Sequence, residues 1–313
     1  MAELKVWFLD VGHGDCTYVL FPNGAKMLID CGDSGDHWPS RLLKHTGLTR
    51  PGGRTPGEEE RKDILDYLVI THPHADHMED IEAIYNNVGF RWFQGGYGAL
   101  IERITPEQID FRGRGRGIAE SFISIVREYV DGYAEDEDRI AANDPAPIMK
   151  WHRFIEYEPG MDLNDLSWLG TIEMGGRKIL FTGDMTAAGV RKILDSPRAD
   201  EFRTFVEGTA VLKAPLHGRE NGCSREMFDL FGAPPVLCVL SDGILNEGNE
   251  GIPQTEWYAD RTDERGLPID GMLWARRVLT TRQDRDVYLR ISDTGEMVAY
   301  TRAFTNIRET ILS

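Results

Sequence analysis

At 313 residues, with 41% apolar content and seven Trp, the chain is long enough to bury a substantial core, and one domain spanning 1–313 is expected. No run approaches the roughly 20 consecutive apolar residues that a membrane helix requires, so no membrane role is expected. A net charge of −17 disfavours a long nucleic-acid footprint, because a protein that tracks a phosphate backbone presents a basic surface.

The opening "MAELKVWFLDVGHGD" enters strand-like sequence at once, without the basic and apolar segments of a leader, and a cytoplasmic location is expected. Then "KVWFLDVG", "TYVLF" and "KMLIDCG", separated by "GHGD" and "PNG" turn signals, predict a β-meander. Residues 33–62, with "TRPGGRTPGEEER", read as a surface loop. "ILDYLVITH" is a nearly continuous apolar run that predicts a buried strand, and "MEDIEAIYNNV" has helical spacing. Residues 86–150, including "GIAESFISIVREYVDGYAEDED", predict a helical insertion. Strand signals return at "LSWLGTIEM", "GGRKILFTGD", "AVLKAPLHG" and "PVLCVLSDG", with helices at "TAAGVRKIL" and "CSREMFDLFG". Residues 242–271 read as an acidic loop, and "DVYLRISDTGEMVAYTR" reads as a hairpin turning at "SDTG". Cys16, Cys31, Cys223 and Cys238 are widely spaced with no CxxC pair, which argues against a disulfide framework and a thiolate zinc site.

The chemistry concentrates in "THPHADHMED" (71–80), on the loop between the predicted strand and helix. His72, His74, Asp76 and His77 are imidazole and carboxylate donors suited to zinc and other first-row metals. Four such donors in six residues cannot all reach one ion from one short loop without strain, so two metals sharing the loop is the better geometry. Clustered buried imidazoles are costly unless they bind something. Two further strand ends offer partners: "ILFTGDM" places Asp184, and "VLKAPLHG" places His217, each just after an apolar run.

"THPHADH", "FTGDM" and "APLHG", in this order, resemble the metallo-β-lactamase-fold hydrolase superfamily, whose HxHxDH signature is highly specific. "LDVGHGDCTYVLFPNGAKMLIDCG" and "VLTTRQDRDVYLRISDTGEM" are similar to the opening and closing strands of one branch, which holds the hydrolase domains of DNA-uptake competence proteins and phosphorylcholine esterases. The resemblance implies an α/β fold, the αββα four-layer sandwich, with metals at one edge. By position it implies His72 and His74 on a first metal, Asp76, His77 and His217 on a second, and Asp184 bridging them. It further implies Zn2+, one or two ions, with Mn2+ as the alternative.

The chain departs from the pattern in three places. Asn164 in "NDLSW" stands where most members have a further metal-binding histidine, and His152 is the alternative ligand, set between Trp151 and Phe154 as a packed or surface residue would be. Leu216 precedes His217 where the branch has a second histidine, and Arg219 takes a serine position. Glu79 and Asp80 replace glycines, and acids at a helix N-terminus are favourable in themselves.

His13 and Asp15 lie in the "DVGHGDC" turn. His13 either faces the metals or is a surface turn residue. Asp15 either supports the site or bonds turn amides, as Asp commonly does. Asp30, and Asp33 after it, are expected to support metal ligands from behind. Lys213 either offers charge to an anionic substrate or is solvated; Arg219 is a second candidate substrate contact. Arg112, Arg114 and Arg116 in "FRGRGRG" form either a solvated loop or a grip on phosphate.

Two divalent ions can generate a hydroxide near neutral pH and stabilise an oxyanion. The expectation is a metal-dependent hydrolase, with Asp76 and Asp184 at the catalytic ions and His13 or Glu79 moving a proton to the leaving group. The branch resemblance points to phosphodiesters, and the acidic charge favours a small or single-stranded substrate over a long duplex. The alternatives are a degenerate metal-binding module that acts through a partner without turnover, and a thioester hydrolase.

Overall fold

The computed structural model describes residues 2–33, 38–46, 50–53, 61–94, 109, 116–133, 149–243 and 252–301. Its first six strands are β1 (Glu3–Phe8), β2 (Thr17–Leu20), β3 (Lys26–Ile29), β4 (Arg50–Gly53), β5 (Arg61–Val69) and β6 (Phe90–Gln94). The next six, β7 (Met149–His152), β8 (Leu169–Met174), β9 (Arg177–Phe181), β10 (Thr209–Lys213), β11 (Leu237–Leu240) and β12 (Val278–Thr280), build a second sheet. The hairpin of β13 (Val287–Ser292) and β14 (Met297–Thr301) returns to the first, where β13 pairs with β1 from Glu3↔Ser292 to Phe8↔Val287.

Side-chain alternation explains why the two sheets stack. Leu4, Val6 and Phe8 of β1, Val19 of β2, and Met27 and Ile29 of β3 point into one apolar layer, where they meet Ile172, Ile179, Phe181, Val211, Val239 and Leu279 of the second sheet. The intervening residues point outward. Trp7, Tyr18, Leu28 and Leu68 pack under α1 (Pro39–Thr46) and α2 (Arg116–Tyr133), through Leu43, Ala119, Phe122 and Val126. On the other side Leu180, Leu212, Cys238 and Leu240 pack under α3 (Ala187–Leu194) and α4 (Ala199–Val206), through Val190, Ile193, Phe202 and Phe205. Helix, sheet, sheet and helix therefore form the αββα sandwich that the sequence resemblance implies.

Both sheets are mixed, and this positions the site. Strands β3, β5 and β6 run parallel in the first sheet, and β9 to β12 run parallel in the second. Parallel neighbours end on the same edge, so the loops after β3, β5, β9, β10 and β11 are gathered there, as in other parallel sheets.

Several boundaries differ from the sequence reading. The stretch 33–62 holds α1 and the edge strand β4; Pro51 is tolerated in β4 because an edge residue need not donate to a ladder on both sides. Strand β6 lies inside 86–150 and β7 begins at its end, so the sheets reach into both ends of that stretch around α2. The segment 242–271 contains a short helix, Thr255–Ala259. The helix predicted at "MEDIEAIYNNV" is a single α-turn at Ile81–Ala83 followed by a wide π-turn at Ile84–Val88, with Ile81, Ile84 and Val88 buried. All four cysteines are free; Cys16, Cys31 and Cys238 are buried and Cys223 is half-buried. Among the described residues no helix is long and apolar enough to cross a membrane.

Candidate metal centre

Three loops are drawn together by backbone bonds before any side chain is considered. The segment after β3 lies between the His13 turn and the histidine loop: Gly32 N donates to Asp15 O at 2.9 Å, Cys31 N to His77 O at 2.8 Å and Asp80 N to Cys31 O at 2.9 Å. Asp15 N donates to Asp76 O at 3.1 Å. The approach is so close that a Cβ on Gly32 would lie 2.0 Å from Asp76 O, which is why glycine stands there.

The second sheet brings the remaining donors. After β9, Gly183 turns the chain with φ 51°, and a side chain there would strike Ser167 and Thr71. Asp184 N then donates to Ser167 Oγ at 3.0 Å. After β10, Leu216 and His217 both take left-handed backbone, φ 49° and 53°, a conformation that costs about 1–3 kcal/mol per non-glycine residue and is held only by its surroundings. The holding bonds are Leu216 N to Asp184 Oδ1 at 3.1 Å and His217 Nδ1 to Ser241 O at 3.0 Å.

Asp76, His77, Asp184 and His217 each present one donor atom, and these four atoms lie within 4.8 Å of one another. His217 Nε2 is 3.2 Å from Asp76 Oδ2 and 3.5 Å from Asp184 Oδ2, while His77 Nε2 is 3.4 Å from Asp184 Oδ2. His72 Nε2 stands beside them, 4.0 Å from Asp184 Oδ2 and 3.1 Å from His74 Nδ1. The residues fit a divalent ion on an independent ground: His77 Nε2 is buried with no hydrogen-bond partner. Such an orphan is uncommon in a folded interior and calls for a ligand.

The ring orientations are set from behind. Asp30, itself at φ 57°, accepts from Thr71 N at 2.7 Å, Thr71 Oγ1 at 2.8 Å and His77 Nδ1 at 2.8 Å. A carboxylate only accepts, so His77 carries its proton on Nδ1 and offers the Nε2 lone pair to the centre. The Ser241 carbonyl does the same for His217.

Burial raises the cost of every charge here, and the net shifts report the partners. Asp184 is held well below the usual carboxylate range in spite of burial, chiefly by His217 and His77. Asp76 is likewise lowered by His217 and His77 against its burial. Burial disfavours charge on His77 and His217, yet Asp184, with Asp30 or Asp76, raises both above the ordinary value. His72, by contrast, is pushed well below it by burial and by His77 and His74. Glu79 is pushed up to about 7 by burial, although its carboxylate accepts from Asp33 N at 3.0 Å.

Other candidates fall in different places. Lys213 is buried, not solvated: it is 3% exposed, and its ammonium bonds the Asp15 carboxylate. The Asp15 carboxylate also accepts from Ser241 Oγ at 3.3 Å, so both of these partners lie outside its own turn. His13 sits at the mouth, its Nε2 3.6 Å from Asp76 Oδ2. Asn164 lies in the turn Leu163–Leu166, three residues before Ser167, with its Oδ1 buried and lacking a hydrogen-bond partner. His152 is remote, paired with Glu201 at 3.2 Å. Asp80 is turned toward α1, where it accepts from Ser40 N and Oγ. Arg112 and Arg114 lie outside the described residues, and Arg116 opens α2.

Sequence reasoning passed over Thr71, Ser167, Ser241 and Asp242. "PVLCVLSDG" carried the same signal that singled out Asp184, an acid just after an apolar strand. Asp242 is fully buried, with Arg282 Nε 3.4 Å from its carboxylate.

No protein-family model matches the sequence, and no curated protein matches it. Among solved structures the chain is similar to the hydrolase AbOPH, described as belonging to the beta lactamase superfamily. The two share 16% identity over 64% of this chain and 71% of that one, with a TM-score of 0.33.

Proposed function

We propose that the chain is a metal-dependent hydrolase of phosphodiester bonds, acting on a small or single-stranded substrate. The observation that carries the reading is the convergence of Asp76, His77, Asp184 and His217 at an edge fed by both sheets, with the Nε2 of His77 left unsatisfied. Imidazole and carboxylate donors suit Zn2+, with Mn2+ as the alternative. When bound, such an ion supplies Lewis acidity and lowers the pKa of water toward neutrality.

The chain's own contributions follow from its geometry. His77 and His217 would hold an ion through Nε2, with Asp76 and Asp184 as carboxylate donors, and His72 and His74 would contribute to a second ion. Asp30 and the Ser241 carbonyl keep both rings from turning away. Glu79, whose carboxyl keeps a proton up to about pH 7, stands next to the ligand loop as the candidate donor to a leaving oxygen. The phosphodiester class is supported by the sequence resemblance, and the small or single-stranded form by the charge of −17.

The second reading, a degenerate metal-binding module without turnover, draws on the pairing of His152 with Glu201, which leaves Asn164 in place of a further histidine. Elemental analysis of protein purified without added metal, with hydrolysis of bis-p-nitrophenyl phosphate, separates the two. About two ions per chain with turnover supports the hydrolase; one ion or none, with no turnover after zinc or manganese is supplied, supports the module.

A further inference from the structure

The mouth of the centre holds a pair of side chains that the ligand set does not use. Arg219 Nη2 lies 3.3 Å from His13 Nδ1. The His13 ring leans over His217, with centroids 4.9 Å apart, and its Nε2 is turned to Asp76. The backbone beneath has no room to move: a Cβ on Gly243 would come within 2.4 Å of His13 N, and one on Gly14 within 2.7 Å of Asp76 O.

The polarity of the rear partner sorts three of the rings, His77, His217 and His13, into two kinds. His77 and His217 are backed by acceptors, the Asp30 carboxylate and the Ser241 carbonyl, so each holds its proton at the back and presents a lone pair. His13 is backed by a guanidinium, which has five donors and no acceptor. Its Nδ1 must therefore supply the lone pair, and in the neutral ring the proton goes to Nε2, toward Asp76.

We propose that Arg219 is a positioning residue that holds His13 as the Nε2–H tautomer, so that His13 presents a hydrogen-bond donor to the centre where His77 and His217 present ligand lone pairs. The use of that donor, to bind an oxygen of the substrate, rests on the hydrolase reading; the tautomer itself does not. Arg219 acts through His13, and its Nε is buried without a hydrogen-bond partner, so the guanidinium is packed in place instead of sweeping solvent.

The test is long-range proton–nitrogen correlation on the full chain labelled with 15N-histidine, at one neutral pH, with the His13 signals assigned by their loss in His13→Asn. Nε2–H is expected for His13 in the wild type and in Arg219→Lys, whose ammonium also only donates. A mixture of tautomers is expected in Arg219→Met, with the signals of remote His152 unchanged as proof of folding. An Nδ1–H wild type, or a pure Nε2–H ring in Arg219→Met, would overturn the proposal. Should Arg219→Met fail to fold, the other two proteins decide, Nδ1–H in either being the contrary result. Absence of phosphodiester hydrolysis would count against the function and leave the tautomer result standing.

Discussion

Lys213, at the end of β10, is bonded to Asp15 of the turn between β1 and β2, a pair separated by 198 residues and buried at both ends. It joins the two sheets directly behind the candidate ligands, since Asp15 also takes the hydroxyl of Ser241, whose carbonyl orients His217. Removing the ammonium leaves a carboxylate buried without its counter-charge. Lys213→Met is expected to destabilise the protein by about 3–5 kcal/mol. The double variant Asp15→Asn, Lys213→Met should recover much of that loss. Urea unfolding of the four proteins of the cycle measures it; additive losses would show that the pair carries no coupling.

Gly32 is pressed between two backbones. In Gly32→Ala the new Cβ would stand 2.0 Å from Asp76 O and 2.9 Å from Asp15 N, neither of which is a flexible side-chain end. A loss of about 3 kcal/mol, the upper end of the usual overpacking cost, is expected. Metal uptake should weaken with it, because Asp76 must be displaced. A variant with wild-type unfolding midpoint and metal content would contradict the packing described here.

Asp30 is bonded directly to His77 and to Thr71, whose hydroxyl lies 3.3 Å from His72 Nδ1. Asp30→Asn keeps an acceptor for Thr71 N but replaces one carboxylate oxygen by a donor, which competes with the Nδ1 proton of His77. Metal affinity is expected to fall by roughly 10–100-fold, the usual consequence of losing a partner behind a ligand. Competition against a chromogenic chelator reads this directly, and unchanged affinity would show that Asp30 does not set the ring.

Asp80 gives a pH signature. Burial raises its carboxyl from 3.8 to about 6, against the hydrogen bonds from Ser40. The folded state thus holds this proton more tightly than the unfolded chain does. The corresponding stability is fully present below about pH 4 and is lost as pH rises through 6, to the extent of about 3 kcal/mol at about 1.4 kcal/mol per tenfold change in proton affinity. Asp80→Asn cannot ionise, so its stability relative to wild type should climb between pH 4 and pH 7 and then level off. Unfolding midpoints of the two proteins across that range are the measurement; a constant difference would refute the assignment.

The sequence made the front of the site easier to read than its back. His72, His74, Asp76 and His77 fall within six residues of one loop, and Asp184 and His217 each follow an apolar strand, so spacing alone exposes them. Lys213 could not be read in the same way, because its partner is set by how β10 lies against the first turn, which no local pattern encodes. Ser167 and Ser241 were hidden for a similar reason: a serine that bonds a neighbouring backbone looks like any loop serine. Among the elements, α4 carries Phe202, Phe205 and Val206 at helical intervals, yet the run is only eight residues long. The strand β4, written in Arg, Pro and Gly, owes its existence to β5 beside it.

His77 follows β5 of the first sheet, and His217 follows β10 of the second, with Asp76 and His217 141 residues apart in the chain. An ion seated among them would therefore act as a removable cross-link between the two halves of the polypeptide. Its contribution would follow mass action, about 2.7 kcal/mol when free metal stands at a hundred times its dissociation constant. Scarcity of metal would then shorten the lifetime of the folded chain against proteolysis, and the amount of intact protein would track metal supply.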